Sequence, residues 1–409
     1  MWRCGVKLVH SVYVLVAVVL CFSQTNAQWV QASGANAADI RCLAVGGSAL
    51  FAGSFGGGAF ASTDNGTSWA AVNSGLTGTY VAALAVQGTN LFAATFDGVF
   101  LSTNNGASWT MPNTGFSPRA TYALAVKGTD IFAGTPSSGA FRSTDNGTSW
   151  KAVNSGLPRT YVRSFAVKGT NLYAGTDGGV FLSTDNGANW TATGSELGSH
   201  IIYALSVSGT NLFAGTSGGA FVSTNDGASW TAVNSGLIDL HIMALAVSGT
   251  TVFAGGHSPR VLVLAERETS WTAAETGLPA KPVEALAVSG GYLIAGIAQS
   301  GLWRRPLVEM VVSVQPLTGG LPRGFALDQN YPNPFNPRTT ITFAIPEAAL
   351  VALDVWDLLG RKVAELVNGR KSAGVYEVTF DGSNLASGVY LYRMQAGEYV
   401  QARKLAVLK

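Results

Sequence analysis

Short apolar runs alternate with glycine-, serine- and asparagine-rich turns along most of the chain. Apolar triplets recur at Leu43-Ala44-Val45, Leu84-Ala85-Val86, Leu124-Ala125-Val126, Phe165-Ala166-Val167, Leu205-Ser206-Val207, Leu245-Ala246-Val247 and Leu286-Ala287-Val288. Each is followed by a glycine-containing turn and a second run, such as Leu91-Phe92-Ala93 or Leu212-Phe213-Ala214-Gly215. A third run (Gly98-Val99-Phe100-Leu101), an acidic turn and a Trp-led fourth run complete the unit. Runs this short, β-prone and bounded by turn residues, predict four strands per unit.

The tryptophans that lead the fourth runs set the period. Trp69, Trp109, Trp150, Trp190, Trp230 and Trp271 lie 40, 41, 40, 40 and 41 residues apart. A four-stranded repeat of that length predicts a β-propeller, a closed ring of small sheets. The unit after Leu286 lacks its own Trp-led strand, and Trp29-Val30-Gln31-Ala32-Ser33-Gly34 resembles Trp230-Thr231-Ala232-Val233-Asn234-Ser235-Gly236. The N-terminal strand is therefore expected beside Gly301 to Arg305, so that seven blades over residues 28–305 close without an open seam.

Five copies of Ser-Thr-(Asp/Asn)-(Asn/Asp)-Gly-x-x-Trp join the third and fourth runs. Asp64 can accept backbone N–H groups of its own turn, Gly66 can take a positive φ, and Trp69 can bury an indole between sheets. The same positions are held by Asn104 and Trp109, Asp145 and Trp150, Asp185 and Trp190, and Asn225 and Trp230. Asparagine keeps the acceptor oxygen and loses the charge, which a catalytic carboxylate would not survive. The motif resembles the Asp-box, or BNR repeat, of sialidases, sortilin-like receptors, xyloglucan hydrolases and photosystem assembly factors. Its role here reads as structural, and any ligand is expected on the opposite face of the ring.

On that opposite face Tyr80, Tyr122, Tyr161 and Tyr203 precede the inner strands, with Arg119, Arg159 and Arg163 beside them. Tyrosine with arginine suits a sugar or an interface, where rings stack and guanidinium groups fork onto acceptors; repeat-encoded packing is the alternative. His200, His241 and His257 fall on the same face, but no local spacing makes them converge on a metal, so no metal or cofactor is expected. Asp97 and Asp177 read as turn residues rather than a glycosidase pair. The Arg-Ile-Pro segment and arginine pattern of sialidases are missing, and all repeats are too uniform to hold a substrate cleft. No catalytic residue is expected.

After Arg305 the period ends. Residues 306–324, with Pro316, Gly319-Gly320 and Pro322, read as a linker. Apolar runs at Thr340 to Ile345, Val351 to Val355, Val375 to Phe380 and Val389 to Met394 then predict a small sandwich over residues 325–409. Its motifs are Asn330-Tyr331-Pro332-Asn333-Pro334-Phe335-Asn336-Pro337, Asp357-Leu358-Leu359-Gly360-Arg361-Lys362-Val363 and Ser387-Gly388-Val389-Tyr390-Leu391-Tyr392-Arg393-Met394, with a basic-apolar end at Lys404 to Lys409. They resemble the type A C-terminal sorting domain of type IX secretion, which is similar to the immunoglobulin-like part of the flagellar hook-capping protein. The resemblance implies recognition by the type IX machinery and delivery outside a Gram-negative cell.

Composition narrows the function further. Of the 409 residues 12% are charged and the net charge is +2, with no basic stripe for a nucleic acid. Residues 1–27 combine Arg3 and Lys7, the apolar run Leu8 to Phe22 and Thr25-Asn26-Ala27, a secretory signal with cleavage expected after Ala27. No later stretch reads as a membrane span. Once the signal leaves, Cys42 is the one remaining thiol, so packing must hold the ring. The expected function is a secreted or cell-surface binding or scaffold protein whose ligand is an extracellular glycan or protein. A secreted glycoside hydrolase and a purely structural surface component are the alternatives.

Overall fold

The computed structural model describes residues 28–408 except 37, 117–119, 159–160, 266–267, 275, 308–309, 311–313, 318–321, 323 and 372. The expected signal, 1–27, lies outside the described residues. From Ile40 onward the chain folds into successive antiparallel sheets with strands in sequence order. The first contains Ile40–Gly46, Ala49–Ser54, Gly58–Ser62 and Ala70–Ala71. Val81–Gln87, Ala123–Lys127, Val162–Lys168, Ile202–Ser208, Ile242–Ser248 and Val283–Ser289 are the inner strands of those that follow. Each inner strand packs beside the next, and Val283–Ser289 packs back on Ile40–Gly46, giving a propeller-like ring. In the last of these sheets Val30–Gln31 supplies the outer strand, with Val30 opposite Arg304 and Gln31 opposite Trp303.

Second strands read as apolar runs because both faces are covered: Leu50 to Gly53, Leu91 to Ala94 and Leu172 to Gly175 are all buried. Between neighbouring sheets lie compact clusters such as Phe51, Leu84, Phe100 and Trp109. The repeated turn builds one edge of this packing. Asp64 Oδ1 accepts the Ser62 hydroxyl at 2.8 Å and the N–H groups of Thr67 and Ser68 at 3.0 Å, while Oδ2 accepts the Ser68 hydroxyl at 2.6 Å. Asn65 takes φ 55° and Gly66 φ 76°, a left-handed pair that asparagine and glycine tolerate. Asn104 and Asn225 make the same acceptor contacts to Ser102 and Ser108, and to Ser223 and Ser229.

Each tryptophan that ends a turn also joins two sheets. The backbone N–H groups of Trp69, Trp109, Trp150, Trp190 and Trp271 donate to Ser33, Ser74, Thr114, Ser155 and Ser235 of the preceding sheet. The indoles of Trp109, Trp190 and Trp271 reach back to the carbonyls of Val72, Val153 and Val233. Trp29 does the same to Ala274 at 2.6 Å. These bonds cross from sheet to sheet where apolar packing alone would allow sliding.

Residues 326–407 form two further antiparallel sheets that face each other. One contains Ala326–Leu327, Arg338–Ile345 and Gly374–Asp381; the other contains Ala349–Trp356, Lys362–Lys371, Gly388–Ala396 and Tyr399–Val407. Their shared core holds Phe335, Phe343, Leu353, Val378, Phe380 and Tyr392. One correction concerns the segment expected to be a linker. Val314–Leu317 within it pairs as an edge strand with Val375 to Val378, a position that Pro316 can occupy because an edge leaves its missing N–H without cost.

Candidate functional site

A single irregularity in the inner strands positions the site. The pairing of inner and second strands skips one residue between Ile40 and Cys42, Val81 and Ala83, Val162 and Ser164, Ile202 and Ala204, Ile242 and Ala244, and Val283 and Ala285. The skipped residues are Arg41, Ala82, Arg163, Tyr203, Met243 and Glu284, and Tyr122 holds the matching place just before Ala123. A β-bulge re-aims the side chain of the extra residue. All of these residues line one cavity of about 450 Å³ at the mouth of the ring.

The residue before each bulge is a buried Ile or Val: Ile40, Val81, Val162, Ile202, Ile242 and Val283. Packing therefore fixes one position to a single type. The next position varies through arginine, alanine, tyrosine, methionine and glutamate. That freedom is what a surface selected for contact, rather than for packing, would show.

Aromatic rings cover one side of the cavity in an unbroken series. Tyr80 lies 4.3 Å from Phe55 and stacks at 5.4 Å on Phe96; Phe96 lies 5.2 Å from Tyr122, and Tyr122 4.8 Å from Tyr161. The Arg163 guanidinium stands 3.9 Å from the centre of the Tyr161 ring and 5.7 Å from that of Tyr203, and pairs with Asp177. Burial is the main cause that raises the Tyr161 hydroxyl pKa, so Tyr161 stays a neutral hydrogen-bonding group. Across the mouth, Arg41 bonds Asp39 and Glu284 at 2.9 Å each. Burial raises the Glu284 carboxyl above its usual range, and Arg41 opposes that shift.

The structure brings Tyr80, Tyr122, Tyr161, Tyr203 and Arg163 to one cavity, but not as copies of one repeat position. Tyr80 and Tyr161 stand before the buried β-branched residue, whereas Tyr122 and Tyr203 stand at the bulge. Arg119 and Arg159 lie outside the described residues. Phe55, Phe96, Arg41, Met243 and Glu284 were missed; aligning the repeats two residues ahead of each apolar triplet would have exposed the variable column holding the last three. Asp177 is engaged by Arg163, and Asp97 caps its own loop through an N–H bond to Thr95. His200 packs against Phe221 at 5.3 Å, apart from the stacked pair His241 and His257.

In the tail the quoted motifs meet. The Tyr392 hydroxyl accepts the Asn330 N–H at 2.8 Å and donates to the Asp328 carbonyl at 2.6 Å. Asn330 Nδ2 bonds the Thr339 hydroxyl at 2.9 Å and the Pro332 carbonyl at 3.1 Å. Asp357 Oδ1 accepts the N–H groups of Leu359 and Arg361, closing a turn whose Leu358 and Leu359 are exposed.

Residues 329–408 match the model of a secretion system C-terminal sorting domain. The tail is thus similar to a sorting domain. It marks the chain for export by type IX secretion to the cell surface or beyond. Residues 128–237, upstream of the sorting domain, match the DUF6242 beta propeller domain. No curated protein matches the chain. Among solved structures, YCF48 bound to D1 peptide is 15% identical, with TM-score 0.57 over 68% of this chain and 96% of that one. A catalytically inactive virginiamycin B lyase from Staphylococcus aureus with quinupristin is 10% identical, with TM-score 0.55 over 66% and 96%. The WD40 beta propeller domain of Doa1 is 12% identical, with TM-score 0.51 over 68% and 95%. At these identities the likeness concerns the propeller fold. No helix among the described residues is long and apolar enough to cross a membrane.

Proposed function

We propose that the protein is an extracellular binding module: a seven-bladed Asp-box propeller that holds a glycan in its channel mouth, carried out of the cell by an immunoglobulin-like sorting sandwich. In this reading residues 1–27 are removed after Ala27, residues 28–305 form the ring, and residues 325–409 engage the type IX machinery. The observation that carries it is the bulge column, in which seven inner-strand positions free of packing constraint line one aromatic cavity. Flat rings of Tyr80, Tyr122 and Tyr161 suit the apolar faces of pyranose units, and their hydroxyls with Arg163 suit sugar oxygens. Both arginines of the lining are already paired with carboxylates, which favours a neutral polyol over an anion.

Binding without hydrolysis is the better reading because Glu284 is the one carboxylate among the residues that line the cavity, and Arg41 engages it. A glycosidase needs two carboxylates about 5–10 Å apart that both reach the substrate; Asp39, which shares Arg41 with Glu284, is not among the residues that line the cavity. The box turns, including Asp64, Asp145 and Asp185, are assigned to sheet-to-sheet stability. A peptide is the second ligand class, by analogy with YCF48. A glycan array probed with the purified chain tests the proposal; a reducing-end assay on the polysaccharides retained distinguishes binding from cleavage, and release of sugar would overturn the non-catalytic reading.

A further inference from the structure

Two repeats, at Gly256 and Ile297, depart from the other five at the rim of the cavity, and the first of them draws two histidines together. At the end of the second strand Ser54, Thr95, Thr135, Thr176 and Thr216 each donate a hydroxyl to the carbonyl of the glycine opening the third strand. Gly256 replaces that hydroxyl residue in the sheet of Ile242–Ser248. A Cβ at Gly256 would stand 1.8 Å from the His241 carbonyl oxygen. Its absence lets the two strand ends close up.

Two imidazoles and a carboxylate meet there. The His257 N–H donates to the His241 carbonyl at 3.4 Å, and the two rings stack with centroids 4.9 Å apart. Asp239 Oδ1 accepts the His241 backbone N–H at 3.0 Å and lies 3.3 Å from His241 Nδ1. One donor atom from each of the three residues lies within 4.8 Å of the others. None of the three is set by the repeat: the places of His241 and His257 are held elsewhere by residues as different as Tyr80 and Pro282, or Phe96 and Ala298.

We propose that Asp239, His241 and His257 form a binding site for a divalent transition-metal ion, zinc fitting best. Tetrahedral zinc with bonds of ~2.1 Å spaces its donors about 3.4 Å apart. The 3.3 Å between Asp239 Oδ1 and His241 Nδ1 already matches one such edge, and the ion replaces the hydrogen bond between them. His257 is exposed, so its ring is free to swing in as the third donor. Water takes the fourth place. Imidazole donors select zinc, copper or nickel over calcium and magnesium, which prefer all-oxygen shells.

Isothermal titration of the untagged full chain with zinc chloride tests this. One saturable ion per chain is expected, and His257→Ala should weaken it by about tenfold or more, as removal of a metal-site contact does. His200→Ala should bind as the parent does, and calcium chloride at the same concentration should give no saturable heat. Because His257 is exposed, its variant is expected to keep the parent melting curve in metal-free buffer. Absence of saturable zinc binding, or equal affinity in the parent and the His257→Ala protein, overturns the proposal.

Discussion

The guanidinium of Arg163 covers the Tyr161 ring at 3.9 Å while Val162, between them in sequence, is fully buried. Two adjacent residue types thus serve the core and the cavity by turns. Because an exposed cation–π contact and an exposed ion pair are each worth up to about 1 kcal/mol, Arg163→Ala, which loses both Tyr161 and Asp177, should lower stability by no more than about 2 kcal/mol. Its effect on ligand capture should be far larger. Denaturant unfolding of the variant, set beside its signal on a glycan array, separates the two roles.

Acid should loosen the ring through its turns. Hydrogen bonds from Ser68 and Asn189 hold Asp64 and Asp185 at about 2, and Ser149 lowers Asp145 in the same way. A carboxyl whose folded pKa is depressed stabilises above its unfolded value, near ~3.9, and loses that contribution as pH falls through the folded value. The melting temperature should therefore fall between about pH 4 and pH 2. A protein with Asp64, Asp145 and Asp185 all changed to Asn, as Asn104 and Asn225 already are, should lose less over that window. An identical decline in both proteins would remove the turns as the cause.

Trp29 joins the ends of the ring. Its N–H bonds the Thr276 carbonyl at 3.0 Å, its indole bonds Ala274 at 2.6 Å, and its side chain is 2% exposed. Truncation of a buried tryptophan costs about 3–5 kcal/mol, so Trp29→Ala should shift the unfolding midpoint strongly. Deletion of residues 28–34 should do more. An unchanged midpoint would mean that the ring does not depend on this strand.

In the sorting domain Tyr392→Phe removes a fully buried hydroxyl and leaves the Asn330 N–H without its acceptor. Such a loss costs about 1–3 kcal/mol. Hydrogen exchange on the intact chain should show faster exchange of tail amides and no change in the ring.

The ring was readable because period-two packing, turn residues and tryptophan spacing all repeat. Trp69 through Trp271 announce the sheets, and Trp29 marks the strand opposite Arg304. The strands Lys362–Lys371 and Tyr399–Val407 escaped notice because their charged outward residues, such as Glu365 and Lys404, interrupt the apolar pattern. The cavity was half legible. Tyr122 and Tyr161 stand out as aromatic residues before strands, but the bulge that turns Arg41, Met243 and Glu284 inward is a backbone event, and its variable column shows in the sequence only when the repeats are aligned two residues ahead of each apolar triplet. Phe55 and Phe96 sit in loops where other repeats carry Pro136 or Ser217, so no spacing predicts them. Asp239 meets His241 through a local turn, and His257 joins them only once Gly256 lets the hairpin close.

The central claim is that the aromatic mouth, and not the face of box turns, captures the ligand. The most direct measurement is a parallel glycan array of the parent protein, a Tyr122→Ala/Tyr161→Ala protein and a Lys151→Ala protein altered near the box turns. The account predicts binding by the parent, a loss of about tenfold or more in the double variant, since removing a well-packed aromatic contact costs more than 1 kcal/mol, and no change with Lys151→Ala. Equal retention by the parent and the double variant, or loss confined to Lys151→Ala, would contradict it.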